Sequence, residues 1–385
     1  MLRVVACAAL LAGVALTSAA AQAPRLKLVA TNLDNPRKLF VGSNGAVYVV
    51  EAGTGGRDRC LGSGPNRVCI GLSGAITRIL DGRRTRVVTG LWSGALPSGE
   101  RAQGPADVIV RGGTYYVLLQ DASVNAQGMN SLGPDGSTAG DLITTPPGRA
   151  APAAIFNFAA FEAARNPDHG AGPGAKFGDP AIDSDPYAFV SYHGGFAVVD
   201  AAGNDLLWIS PKGKVSVLTV FPTQTVRLTN AVAKKIRAPR GMRSISVQSV
   251  PSSLAVGPDG ALYVGELTGL PFPPGKARIW RVEPGRKATI YASGFTNISD
   301  LAFAGKNLLV LEIAAKGLLS GSSAGALIRV APDGTRTVLA RSGLVQPTGL
   351  AVGNGSIYIS NNGVFPGRGN GAHGEVVSLP ASLVS

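Results

Sequence analysis

Histidine, cysteine, methionine and tryptophan are each used three times in 385 residues, and only 15% of the chain is charged. His169, His193 and His373 give no pair at metal-binding spacing, so a histidine-based zinc site is not expected. His193 falls in a short HGG turn and reads as structural. His169 and His373 fall in long loops and are the histidine candidates for acid–base chemistry. Outside the first residues no apolar run is long enough to span a membrane. The opening segment MLRVVACAALLAGVALTSAAAQA has one arginine, a short apolar stretch and then small residues, with cleavage after Ala21 or Ala23. A signal peptide over 1–21 and a secreted or periplasmic mature chain are therefore expected; too few apolar residues precede Cys7 for a lipoprotein signal. Two cysteines remain, Cys60 and Cys69, in one glycine-rich loop of a chain bound for an oxidising compartment, and a disulfide between them is predicted.

Acidic residues are also scarce. Lys and Arg number 36 against 23 Asp and Glu, a net charge of +13. The basic excess is densest between 227 and 243, where Arg227, Lys234, Lys235, Arg237, Arg240 and Arg243 occur without an acid. Such a segment is a solvated loop or a surface for an anionic partner. Nucleic acid is not expected as that partner, because no aromatic residues are interleaved to stack on bases.

Repetition, by contrast, is abundant. PSSLAVGPDGALYVGE (251–266), PTGLAVGNGSIYISN (347–361) and NPRKLFVGSNGAVYVVE (35–51) share one pattern: two alternating apolar runs joined by a glycine-bearing turn. Weaker copies lie at 105–120, 186–200 and 298–312. A third strand follows in each repeat, as in GAITRIL (74–80) and KARIWRV (276–282), and a fourth in all but the last, as in KVSVLTVF (214–221). The sixth repeat ends after GEVVSLP (374–380), whereas RLKLVATNL (25–33) has the fourth-strand pattern and precedes the first repeat. An open ring would leave an unpaired edge. The expectation is an all-β, six-bladed β-propeller over 22–385, a single domain closed by its N-terminal strand.

Four antiparallel strands per blade send the second-to-third and blade-to-blade connections to one face. The long segments 52–73, 121–139, 159–185, 222–250, 267–276, 313–324 and 361–373 all fall there, while the other face receives tight turns. Recognition is expected on the long-loop face. Within 159–167 the spacing predicts a short helix that packs through Phe161 and turns Glu162 and Arg165 to water.

Oxygen-bearing residues end the six second strands: Glu51, Gln120, Asp200, Glu266, Glu312 and Asn361. They suit capping of backbone N–H groups in neighbouring loops better than a shared ion, since second strands lie off the axis. The innermost strands begin with Arg37, Asp107, Tyr187, Ser252, Asp300 and Thr348, where a central channel opens. Arg37, Asp107, Asp183, Asp185, Tyr187 and Asp300 are the ligand-binding candidates, and Asp107, Asp185 and Asp300 the metal candidates, with calcium the metal such oxygens would take. No catalytic set is assigned. GSSAG (321–325) matches a nucleophile-elbow pattern but falls between strands instead of before a helix, and the glycines of 367–374 lack the βαβ setting of a phosphate loop.

FEAARNPDHG, DSDPYAF, LDNPRKL, CLGSGPNRVCIGLSGAITRI and, most specifically, GPDGALYVGELTGLPFPPG resemble the ScyD/ScyE family of exported, NHL-like propeller proteins over nearly the whole mature chain. Asp185 stands where that pattern leads one to expect asparagine. The family brings no agreed catalytic residues, so the resemblance implies fold and export. Two functions are carried forward. The first is a monomeric, non-catalytic scaffold that binds a small molecule, glycan or envelope protein through the long-loop face. The alternative is a hydrolase or lactonase at the channel mouth, with a divalent metal on Asp107, Asp183, Asp185 and Asp300.

Overall fold

A computed structural model describes residues 25–57, 59–121, 132–171, 182–367 and 373–384. The expected signal peptide, most of 121–139 and part of the 367–374 glycine segment lie outside them.

Six sheets form the blades of the propeller: five have four antiparallel strands, and in blade one the four antiparallel strands are joined by Arg59–Leu61 and, in parallel, by Gly148–Arg149. From the axis outward, blade one is Pro36–Val41, Val47–Glu51, Val68–Leu80 and Arg83–Ala95, and blade two is Pro105–Arg111, Thr114–Leu119, Asp141–Thr145 and Ala153–Asn157. Blade three runs Pro186–Tyr192, Gly195–Asp200, Asp205–Ile209 and Val215–Val220; blade four runs Pro251–Val256, Leu262–Glu266, Ala277–Val282 and Thr289–Phe295. Blade five is Ile298–Ala304, Asn307–Glu312, Ala326–Val330 and Arg336–Ala340. Blade six takes Gly349–Gly353, Ser356–Asn361 and Gly374–Pro380 from the C-terminal end and its outermost strand, Lys27–Leu33, from the other end of the chain. Leu28 pairs with Val377 and Leu33 with Gly374, so closure by the N-terminal strand is as the repeat count requires.

Period-two alternation divides each strand between two blade interfaces. In Thr114–Leu119, Val117 and Leu119 pack toward blade one and Leu118 toward blade three. Each of the six interfaces has its own apolar cluster, and the one at the closure joins Leu33, Ala351 and Val376 of blade six to Leu39, Val49 and Ile79 of blade one. A fully buried aliphatic side chain contributes about 1.5–3 kcal/mol, so stability is spread around the ring and no blade is complete alone.

Cys60 and Cys69 are bonded and are also cross-strand partners, where Arg59–Leu61 folds onto the extended third strand of blade one. The helix expected at 159–167 is Phe158–Arg165. Asn157 caps it by accepting the Ala160 N–H at 2.6 Å, and Asn166 ends it with φ of 39°. Its orientation differs from the expectation: Arg165 is exposed, but Glu162 is 2% exposed and points into the protein. Alanines on both sides of the helix made the buried face ambiguous in sequence. Between blades three and four the chain forms a separate hairpin, Gln224–Arg227 with Ser244–Val247, carrying the helix Asn230–Lys235 and all six cations of the basic cluster. Among the described residues no helix is long and apolar enough to cross a membrane.

Candidate functional site: the channel and the long-loop rim

The residues that end the second strands serve mainly the connections into their own blades. Glu51 Oε2 accepts the Asp34 N–H at 2.7 Å, Asp200 Oδ1 that of Asp185 at 2.8 Å, Glu312 Oε1 that of Thr296 at 2.7 Å and Asn361 Oδ1 that of Val345 at 2.7 Å. Glu266 accepts the Ser249 hydroxyl and the Trp280 Nε1–H, both at 2.8 Å, and pairs with Arg278 at 2.7 Å. These oxygens are used to fix rim backbone that would otherwise lack acceptors. Gln120 is the exception, with a buried Oε1 that has no partner among the described residues.

Strand pairing corrects the level assigned to two channel residues. Leu39, Val108, Phe189, Leu254, Leu301 and Leu350 occupy equivalent positions opposite Val49, Val117, Val198, Val264, Val310 and Ile359. Counting back, Arg37, Tyr187, Ser252 and Thr348 form the upper ring at the long-loop end, while Asp107 and Asp300 sit one residue deeper, beside Lys38. The innermost strands of blades one to five share a bulge at this point, and the offset lies in position along it: Arg37, Tyr187 and Ser252 follow the first strand residue by one, Asp107 and Asp300 by two. In the upper ring, the Arg37 guanidinium donates to the carbonyls of Gly363, from blade six, and Ala102, from the connection to blade two.

Lys38, which the sequence reading passed over, organises the deeper ring. Its Nζ lies 2.7 Å from Asp300 Oδ1 and also donates to the carbonyls of Ser299 at 2.6 Å and Ser252 at 3.0 Å; the Tyr187 ring lies 5.5 Å away. Asp300 further accepts the N–H groups of Leu301 and, from the next blade, Leu350 at 2.7 Å. Asp107 repeats this device by accepting Val108 N–H at 2.8 Å and, from blade three, Phe189 N–H at 3.0 Å. Both carboxylates thus tie neighbouring blades at the axis. Asp183 and Asp185 belong to the blade-three entrance, where Asp185 Oδ1 accepts the Asp121 N–H at 3.1 Å. The four aspartates proposed for one metal are consequently divided between two places, and among the described residues no three acidic, histidine or cysteine side chains form a metal-holding group.

Burial raises the Asp107 carboxyl to about 7, against the pull of its two N–H donors and Lys38, and raises Asp185 to about 8, helped by Asp121, Asp200 and Asp183. For Asp107 the unfolded chain ionises near pH 4 while the folded chain keeps its proton to about 7. Stability must therefore fall as pH rises across that window and level off above it. Thermal melts from pH 4.5 to 8.5 should show Asp107→Asn losing less stability than the parent, by a margin on the order of a few kcal/mol. Parallel curves would contradict this assignment.

The cavity that begins at Lys38, Asp107 and Asp300 has walls of Phe40, Ile109, Val190 and Leu254 and opens toward the tight turns, away from the expected mouth; it measures about 220 Å³. That is below the roughly 300–1,000 Å³ of ordinary ligand sites. A larger cleft, about 580 Å³, lies on the long-loop face of blade one. Its wall is the disulfide-braced segment bearing Thr54 and Arg57, its base includes Asp34 and Arg86, and Pro366 reaches it from blade six. Gly55, with φ of +69°, lets the segment lie flat: a Cβ there would come 2.2 Å from the Cys69 carbonyl. Arg86 is fixed by Asp34 and Glu51, both at 2.6 Å, whereas Arg57 is exposed. Sequence reasoning located this face but not the cleft, which needs residues from 34 to 366 brought together by ring closure. A third concavity, about 740 Å³, is lined only by the basic hairpin itself and lacks a wall from the rigid ring.

The other motifs fall apart in space or context. Gly321–Gly325 follows the 3₁₀ turn Leu318–Ser320 and leads to a strand, not a helix. His193 is in a tight turn, His169 is exposed, and His373 precedes the third strand of blade six.

Neither a family model nor a curated protein matches the chain. Solved structures do. An aldose sugar dehydrogenase from Streptomyces coelicolor, determined with PQQ bound, aligns with a TM-score of 0.51 at 14% identity, covering 93% of this chain and 97% of that one. A protein from Thermus thermophilus described as an oxidoreductase of glucose-dehydrogenase type aligns at 0.51 and 16% identity, covering 92% and 100%. The likeness is one of fold. The chain is a six-bladed β-propeller.

Proposed function

We propose that this chain is an exported, single-domain propeller of ScyD/ScyE type that acts as a binding scaffold, taking a small polar molecule or glycan into the blade-one cleft of its long-loop face. The observation that carries the reading is the cleft itself: a volume in the range of ligand sites, a wall braced by a disulfide, an exposed Arg57 and a base fixed by Arg86. Hydrolysis in the channel is less well supported, because Asp107 and Asp300 already accept backbone N–H groups from two blades each. The Cys60–Cys69 bond is consistent with an oxidising destination.

Thermal-shift screening of polar metabolites and glycans should yield a ligand whose affinity falls at least about tenfold, some 1.4 kcal/mol, in Arg57→Ala. Lys212→Ala and Lys306→Ala, in tight turns on the other face, should leave it unchanged. Replacing both Cys60 and Cys69 with serine should also weaken binding, while the fold survives, since so short a ring adds at most roughly 2–3 kcal/mol. Loss of binding in the tight-turn variants with Arg57→Ala unaffected would overturn the reading.

A further inference from the structure

The most anomalous charges in the molecule lie outside both the channel and the cleft. Glu162, on the helix Phe158–Arg165, is 2% exposed, and Asp205, which opens the third strand of blade three, is 1% exposed. Among the described residues, Glu162 Oε1 and both carboxylate oxygens of Asp205 are buried without a hydrogen-bond partner. Among the described residues neither side chain is in an ion pair.

Their surroundings add negative charge. Asp200 is the cross-strand partner of Asp205, and a Cβ on Gly203 would come 3.4 Å from Glu162 Oε2 and 3.3 Å from Asp200 Cγ, so Asp200 neighbours both of the other two residues. Asp200 is already satisfied by the N–H groups of Asp185, Ala202 and Gly203 and by the Ser184 hydroxyl. Asp168 likewise accepts Asn204 Nδ2–H at 2.9 Å and Gly170 N–H at 2.8 Å. The unsatisfied oxygens are thus confined to Glu162 and Asp205. Burial, with Asp200, Asp168 and Asp183 nearby, raises the Glu162 carboxyl to about 8.

Unpaired buried carboxylates cost several kcal/mol each, so something must neutralise this pair. A proton on each carboxyl removes the charge but leaves their acceptor oxygens without donors. A hard divalent cation shared by the two carboxylates would occupy these oxygens and complete its shell with carbonyl oxygens and water, which calcium accepts in flexible geometry and magnesium does not.

We propose that Glu162 and Asp205 hold a calcium ion that fastens the helix Phe158–Arg165 to blade three. Only these two acidic side chains are needed, which accords with the lack of a three-residue acidic group among the described residues. The ion would also stiffen the channel rim, because Asp200 beside it holds the backbone of Asp185. This inference is independent of the ligand assigned to the blade-one cleft.

Elemental analysis of the purified full chain should find about one calcium per molecule. After EDTA treatment and dialysis at pH 8, 1 mM calcium should raise the melting temperature by about 5 °C or more, and magnesium by less. Glu162→Gln and Asp205→Asn should abolish the calcium-dependent rise, and Glu162→Gln should melt above the metal-free parent because it removes a buried charge. If Asp205→Asn does not fold, Glu162→Gln and the metal content of the parent decide the matter. A metal-free parent that melts identically in EDTA and calcium overturns the proposal in favour of protonated carboxyl groups. A calcium response retained by Glu162→Gln overturns it in favour of a site elsewhere.

Discussion

A chain beginning at Asp34 will lose the cooperative melt of the parent or melt at least about 15 °C lower, because removing 25–33 strips blade six of its outer strand. The deletion exposes the edge of Gly374–Pro380 and takes fully buried Leu33 from the cluster shared by blades six and one. It also removes the Thr31 and Asn32 carbonyls that accept Arg84 from blade one. Calorimetry checks this, and an unchanged transition would show that the ring does not depend on its N-terminal strand.

The second large effect is expected at the axis. Asp300→Ala should cost about 3–5 kcal/mol, since it leaves the Lys38 ammonium buried without its counter-charge and the Leu350 N–H without its acceptor. Lys38→Met should cost less than Asp300→Ala, because the Leu301 and Leu350 N–H groups still steady the carboxylate. The double variant Lys38→Met with Asp300→Leu should recover part of the loss, as replacement of a buried pair by apolar groups often does. Denaturant unfolding of the three variants measures these differences, and equal stability of Asp300→Ala and the parent would contradict the role given to the pair.

Legibility in sequence followed the periodicity of the structure. The alternating runs and their glycine turns recur because each blade solves the same packing problem, so blade number, strand order, closure and the long-loop face could all be read directly. The disulfide was legible because Cys60 and Cys69 are close in sequence as well as in space. Side-chain level inside the channel was not, since the weaker repeats offer no fixed strand start, and Asp107 and Asp300 lie one residue further along their strands than Arg37, Tyr187 and Ser252. Lys38 escaped notice because one lysine in an apolar strand resembles an exposed edge residue until three acceptors from blades four and five surround it. Glu162 was misread for a related reason: an amphipathic pattern in an alanine-rich helix ranks faces by hydrophobicity and cannot anticipate a buried carboxylate. The cleft depends on Asp34, Arg57, Arg86 and Pro366 meeting across the ring closure, a contact encoded in topology and not in any local motif.

That closure can be tested by one cross-linking measurement. Lys27 and Ser378 are cross-strand partners in blade six. In a chain lacking 1–21, so that Cys7 is absent, cysteines at both positions should form a disulfide on oxidation, with a faster non-reducing gel mobility and a higher melting temperature than the reduced form. Failure to cross-link in a folded protein, with cysteine at 27 instead pairing to one placed at Thr337 on the outer strand of blade five, would contradict the closed six-bladed ring on which the long-loop face and its cleft depend.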